Sequence, residues 1–125
     1  MKGKIVSGFG EGKKFFSLCQ YEREFEKILG KKPFFGTLNV DVGEQKTELA
    51  QQIKERANLI VPGFEIGERE YFDVRCIRAK LNGISGLLIF PHLNHHPKNI
   101  LEFVCPQEMR KSFGLGDGHE VEIEI

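Results

Sequence analysis

The chain has 125 residues, 40% hydrophobic and 29% charged, with 18 Lys plus Arg against 18 Asp plus Glu. That length and balance predict a single globular domain over residues 1–125 and argue against a disordered or membrane-spanning chain. Zero net charge leaves no global field to attract nucleic acid or an acidic membrane, so any basic site must be local. The longest apolar run, around Ile84 to Phe90, falls short of a bilayer span, and MKGKIVSG lacks the apolar segment of a signal peptide, which predicts a cytoplasmic protein. Cys19, Cys76 and Cys105 are odd in number and far apart, as expected of buried thiols rather than a disulfide framework or a zinc site.

In chain order, GKIVSG predicts a first strand that runs into Gly8, Gly10 and Gly12, followed by Lys13 and Lys14. Backbone N–H groups approach an oxygen closely where side chains are absent, and the lysines add charge, so the stretch could cradle a phosphate. It lacks the Gly-Lys-Ser/Thr of a Walker loop, and Lys13 stands where a dinucleotide fingerprint needs its third glycine. A flexible corner between strand and helix accounts for the glycines as well. Leu18, Tyr21, Phe25, Ile28 and Leu29 then fall at helical intervals among charged residues, and Gly30 supplies a stop.

FFGTLNVDV follows, with Leu38, Val40 and Val42 alternating with Thr37, Asn39 and Asp41, the pattern of a half-buried strand. Thr37 and Asn39 share one face and offer two hard oxygen donors, which suits Mg²⁺ if a polyphosphate supplies the charge. Solvent-facing polar residues would show the same alternation. EQKTELAQQIKERAN has helix-forming composition with weak amphipathicity. EREYFDVRCIRAKL, Asn82-Gly83 and ISGLLIFP predict a hairpin with a type I′ turn.

HLNHHP holds His92, His95 and His96, but Pro97 breaks the helical spacing a zinc site would use, and a polar loop is the better reading. In the strand ILEFVC, Glu102 falls on the face opposite Leu101 and Phe103. It is either solvated or a carboxylate that accepts a proton or hydrogen bond from a substrate hydroxyl. QEMRKSFG predicts one helical turn carrying Arg110 and Lys111, either solvated cations or partners for a phosphate. Asp117-Gly118 is a turn and HEVEIEI a last strand. Many short strands with one good helix predict a mainly β, single-domain barrel with one or two peripheral α-helices.

The order V-S-G-F-G-E-G-K-K-F-F-S-L, P-F-F-G-T-L-N-V, P-H-L-N-H-H-P-x-x-I-L-E and P-x-x-x-R-x-x-F-x-L-x-D-G-x-x-V-x-I closely resembles the archaeal CTP-dependent riboflavin kinases over nearly the full chain. The most specific parts are G-x-G-E-G and G-T-L-N; residues 43 to 80 are the least diagnostic. The resemblance implies a cradle-loop β barrel that transfers the γ-phosphoryl group of CTP to the 5′-hydroxyl of riboflavin, giving FMN and CDP. It implies nucleotide contacts at Gly10, Glu11, Gly12, Lys13, Lys14 and Phe15, with a second nucleotide segment at Gln107, Glu108, Met109 and Arg110. It also implies Mg²⁺ at Thr37 and Asn39 and flavin contacts at Asn94 and Glu102, with Glu102 the candidate to orient or deprotonate the hydroxyl. Some members have Thr where Asn94 stands, and an amide also hydrogen-bonds a flavin ring edge. The implied partners are riboflavin, FMN, CTP and CDP; the balanced charge predicts no nucleic acid or membrane partner, and the sequence leaves the oligomeric state open with a monomer slightly favoured. Two other classes fit the barrel: a swapped-hairpin DNA-binding regulator, disfavoured by the balanced charge, and a flavin or nucleotide sensor without turnover.

Overall fold

The structure, a computed structural model, describes residues 1–7, 19–33, 37–91 and 97–125. Its strands are β1 (Lys2–Val6), β2 (Leu38–Asp41), β3 (Leu59–Val61), β4 (Phe64–Ile66), β5 (Arg69–Tyr71), β6 (Val74–Leu81), β7 (Ile84–Pro91), β8 (Ile100–Val104) and β9 (Glu120–Glu124). The helices are α1 (Cys19–Leu29), α2 (Thr47–Arg56), entered through a 3₁₀ turn at Glu44–Lys46, and the single turn α3 (Met109–Ser112). The fold is therefore mainly β.

Six strands in the order β6-β7-β8-β2-β1-β9 form a closed antiparallel barrel, because β9 pairs back onto β6 through Lys80↔Glu124 and Leu81↔Ile123. Closure removes the unpaired edges that an open sheet of this size would present. β3 extends the sheet from the far part of β6, and β4 and β5 form a separate hairpin. The β6–β7 hairpin turns at Asn82 (φ 49°) and Gly83 (φ 81°), the left-handed conformations that a type I′ turn requires.

The strands alternate around two cores. Ile5, Leu38, Val40, Leu81, Leu88, Leu101, Phe103, Val121 and Ile123 belong to the main, interior cluster, joined by Ala50 and Ile53 of α2. The weak amphipathicity of the second helix thus conceals a short buried stripe, since only those two of its residues are buried. The second cluster lies on the outer face, where Tyr21 and Phe25 of α1 pack on Val61, Val74, Cys76, Leu87, Ile89 and Val104. The two aromatic rings are one turn apart on the apolar stripe of α1, as the helical spacing predicts. Tyr21 donates to the Phe72 carbonyl at 2.7 Å, and Arg78 donates through Nη1 to the Ile28 carbonyl at 3.3 Å, satisfying one of the acceptors left at the helix end. Gly30 follows with φ 80° and closes the helix where the sequence places the stop.

One reading is refined. The strand expected from Glu68 to Leu81 is divided, because Asp73 leaves the ladder to accept from the Gly63 N–H at 2.6 Å, so that β5 pairs with β4 and β6 starts at Val74. Cys76 and Cys105 are free and buried, and burial pushes the Cys76 thiol up to about 12 and the Cys105 thiol in the same direction. Such thiols are poor nucleophiles and poor metal ligands at neutral pH. Among the described residues no group of three or more His, Cys, Asp or Glu could hold a metal by itself, and no helix is long and apolar enough to cross a membrane.

Candidate active site

Residues directly opposite one another in an antiparallel pair share a face, so the register fixes which side chains meet. One row crosses five strands on the outside of the barrel: Val6 pairs with Asn39, Asn39 with Glu102, Glu102 with Ile89, and Ile89 with Cys76. The Ile89 and Cys76 end lies beneath α1. The polar end does not face open solvent. Asn39 is 5% exposed and Glu102 7%, and they are the two buried polar side chains among the described residues.

That they are cross-strand neighbours is the central feature of the site. Alternation alone allowed both to be solvated, and the structure instead buries both. Asn39 Oδ1 has no hydrogen-bond partner among the described residues. A buried acceptor left unpaired costs about 1–3 kcal/mol, so a stability-selected strand would carry an apolar residue there. Thr37, half-buried, precedes Asn39 by two positions and lies one residue before β2, the spacing that sets two side chains on one face where a strand continues. An orphaned amide oxygen, a hydroxyl and a carboxylate on the next strand form a set of hard donors that suits Mg²⁺ better than a soft metal.

The segment Gln107 to Arg110, for which the resemblance implies nucleotide contacts, follows β8. Gln107 is exposed, and its carbonyl accepts from Cys105 Sγ at 3.3 Å. Glu108 caps α3: its carboxylate accepts from the backbone N–H of Arg110 at 3.1 Å and of Lys111 at 2.9 Å. Met109 is 4% exposed and packs in the barrel core, which leaves its backbone rather than its side chain for a ligand. Arg110 points the other way. Its Nη2 donates to Asp117 Oδ1 at 2.7 Å and to the Val6 carbonyl at 3.4 Å.

Val6 therefore joins the two groups, since it pairs with Asn39 on one side and accepts from Arg110 on the other. With strands about 4.8 Å apart, the Val6, Asn39 and Glu102 positions span roughly 10 Å. Ser7, the last described residue before the glycine stretch, donates to Asp117 Oδ2. Thus Asn39, Glu102 and Arg110 are brought together around Val6, with Thr37 two positions before Asn39. Gly10, Glu11, Gly12, Lys13, Lys14, Phe15 and Asn94, with His92, His95 and His96, lie outside the described residues. A groove of about 960 Å³ runs alongside Gln107, lined in part by Lys31, Arg78, Lys80, Phe113 and Ile125. Asp117 is the residue that sequence reasoning left without a chemical role, because Asp-Gly signals a turn so strongly that its carboxylate goes unremarked.

Residues 5–125 match the family CTP-dep_RFKase, described as "Domain of unknown function DUF120". The riboflavin kinase of Pyrobaculum arsenaticum is 39% identical over 123 residues, covering 98% of this chain and 59% of that protein. That of Archaeoglobus fulgidus is 34% identical over 125 residues, covering all of this chain and 54% of the relative. That of Ignicoccus hospitalis is 39% identical over 125 residues, with 70% of the relative covered. The chain thus spans between a half and three-quarters of the length of these relatives, and for the first of them 59%. A match over nearly every residue identifies the chain, a closed barrel with Asn39 and Glu102 buried as neighbours, as a member of the CTP-dependent riboflavin kinase family.

Proposed function

We propose that residues 1–125 act as one riboflavin kinase domain that transfers the γ-phosphoryl group of CTP to the 5′-hydroxyl of riboflavin, giving FMN and CDP. The observation that carries this reading is the Asn39–Glu102 pair: two polar side chains kept buried, one with an orphaned oxygen, on adjacent strands. Phosphoryl transfer depends mainly on positioning and charge neutralisation, which such a pair can provide.

In this reading Glu102 receives the hydrogen bond, and then the proton, of the flavin 5′-hydroxyl. As the new O–P bond forms, the bond from the γ-phosphorus to the bridging oxygen breaks and CDP leaves with that electron pair. Thr37 and Asn39 would hold Mg²⁺, which would supply positive charge to neutralise the phosphates. Gly10 to Phe15 and Gln107 to Arg110 hold the nucleotide, and Arg110 meets its phosphates. The groove beside Gln107 has room for a nucleoside. Asn94 and Glu102 hold the flavin. Both substrates are water-soluble, so we place the reaction in the cytoplasm, and the balanced charge favours such ligands over DNA.

The test is direct. Purified protein with riboflavin, CTP and Mg²⁺ should yield FMN on chromatography, and ATP should serve much more slowly, because polar groups shaped to one base are left unpaired by another. Absence of FMN with any of the four nucleotides would overturn the activity, and equal rates with CTP and ATP the selectivity. Asn39→Ala should raise the Mg²⁺ concentration for half-maximal rate by about tenfold, the loss of one oxygen ligand, with the melting temperature maintained because an unpaired buried group is removed. An unchanged Mg²⁺ dependence would remove Asn39 from the metal site.

A further inference from the structure

The structure carries a polar knot that the reaction above does not use. Asp117 lies in a turn fastened to β1 by two backbone hydrogen bonds, Gly118 N–H to the Ile5 carbonyl at 2.7 Å and Ile5 N–H to the His119 carbonyl at 2.9 Å. Within the turn, Gly116 N–H donates to His119 Nδ1 at 2.7 Å. From this platform one carboxylate oxygen holds Arg110 Nη2 at 2.7 Å and the other accepts from the Ser7 hydroxyl. We propose that Asp117 is a positioning residue of the nucleotide site, fixing the Arg110 guanidinium beside the chain that enters the glycine stretch. This rests on the nucleotide reading of Arg110 given above.

The geometry distinguishes positioning from competition. A carboxylate that merely occupied the phosphate's place would engage the outward fork of the guanidinium. Here Asp117 and the Val6 carbonyl share Nη2, and Nη1 and Nε have no partner among the described residues. An arginine held by one nitrogen keeps its remaining donors for a second oxyanion, in a fixed plane. Without that hold, a half-exposed arginine samples many rotamers, and the ligand must restrict them on binding. The Ser7 hydroxyl first, and Arg110 second, keep the Asp117 carboxyl below the usual carboxylate range, so it remains ionised wherever CTP carries its full charge. The pair's side chains are 40% and 52% exposed, and an ion pair so placed adds little to stability. Its removal should therefore spare the fold and reveal the effect on binding.

The experiment is calorimetric titration of CTP with Mg²⁺ into wild type, Asp117→Ala, Asp117→Asn, Arg110→Ala and the Arg110→Ala/Asp117→Ala double variant, with steady-state kinetics alongside. Asp117→Ala should weaken CTP binding by about tenfold, the scale of one charge-assisted hydrogen bond, and leave the KM for riboflavin unchanged. In the Arg110→Ala background the same substitution should change nothing further, because its effect passes through the missing arginine. Unchanged or tighter binding by Asp117→Ala, or an equal loss in both backgrounds, overturns the proposal. Should the alanine variant fail to fold, Asp117→Asn, which keeps the shape and loses the charge, must still bind CTP more weakly while melting like wild type. Wild-type protein that binds no CTP overturns the nucleotide reading itself and this inference with it.

Discussion

Glu102→Gln is expected to lower turnover by about 10²- to 10⁴-fold at saturating CTP and Mg²⁺, with riboflavin affinity little altered. Glutamine keeps the size and one acceptor oxygen of the side chain but can neither carry the charge nor take the proton. The position makes the test clean. Glu102 is 7% exposed, on a row that continues through Ile89 into the apolar strip under α1. Glutamine is nearly isosteric at this buried position, and a thermal melt beside the kinetics separates a loss of rate from a loss of fold. A role confined to orienting the hydroxyl would give a smaller loss, divided between turnover and the KM for riboflavin. Steady-state FMN formation beside a thermal melt distinguishes these outcomes. A folded variant with wild-type turnover and affinity would place Glu102 outside the active site.

Burial of Glu102 and Asn39 is what the sequence alone could not supply. Period-two alternation places Asn39 opposite Leu38 and Val40, and Glu102 opposite Leu101 and Phe103, and those directions are as expected. Whether that second face is wet depends on what covers it, which is a tertiary matter that spacing within one strand does not encode. Local signals fared well where local chemistry decides. The Tyr21 and Phe25 stripe, the Asn82-Gly83 turn and the terminal strand all follow from side-chain period or from φ > 0. By contrast β3, β4 and β5 are three residues each, too short for any period to emerge from LIVPGFEIGEREY, and they exist through cross-strand pairing. Closure of the barrel through Leu81↔Ile123 joins positions 42 residues apart; the run of short strands predicts a barrel, but no local signal names the pair that closes it. The Arg110–Asp117 contact is shorter in sequence, yet each partner has a sufficient local explanation, a cation near a helix end and a turn residue, and so neither announces the other.

Phe25→Ala is expected to destabilise the protein by about 3–5 kcal/mol, a large share of the total for a domain of this size. The ring is fully buried, in the outer cluster that joins α1 to residues of β3, β6, β7 and β8. Truncation leaves a void that flat strand backbones cannot collapse to fill, so both the transfer and the cavity contributions are lost. For 125 residues this corresponds to a fall in Tm of roughly 10–20 °C. Ile60→Ala is the matched control, since that side chain is 57% exposed on β3 and its removal should change stability by no more than about 0.5 kcal/mol. Cys76 gives a second readout of the same event. Its thiol is pushed up to about 12 because α1 and the strands bury it, and loosening α1 returns it toward its ordinary value. Alkylation by iodoacetamide at pH 8, mapped to Cys76 by mass spectrometry, should then be slow in wild type and much faster in Phe25→Ala at temperatures below the melt. If the variant melts with wild type and Cys76 stays protected, α1 does not hold the outer face in the way its packing implies. The apolar wall beside Glu102 would then have to come from elsewhere in the chain.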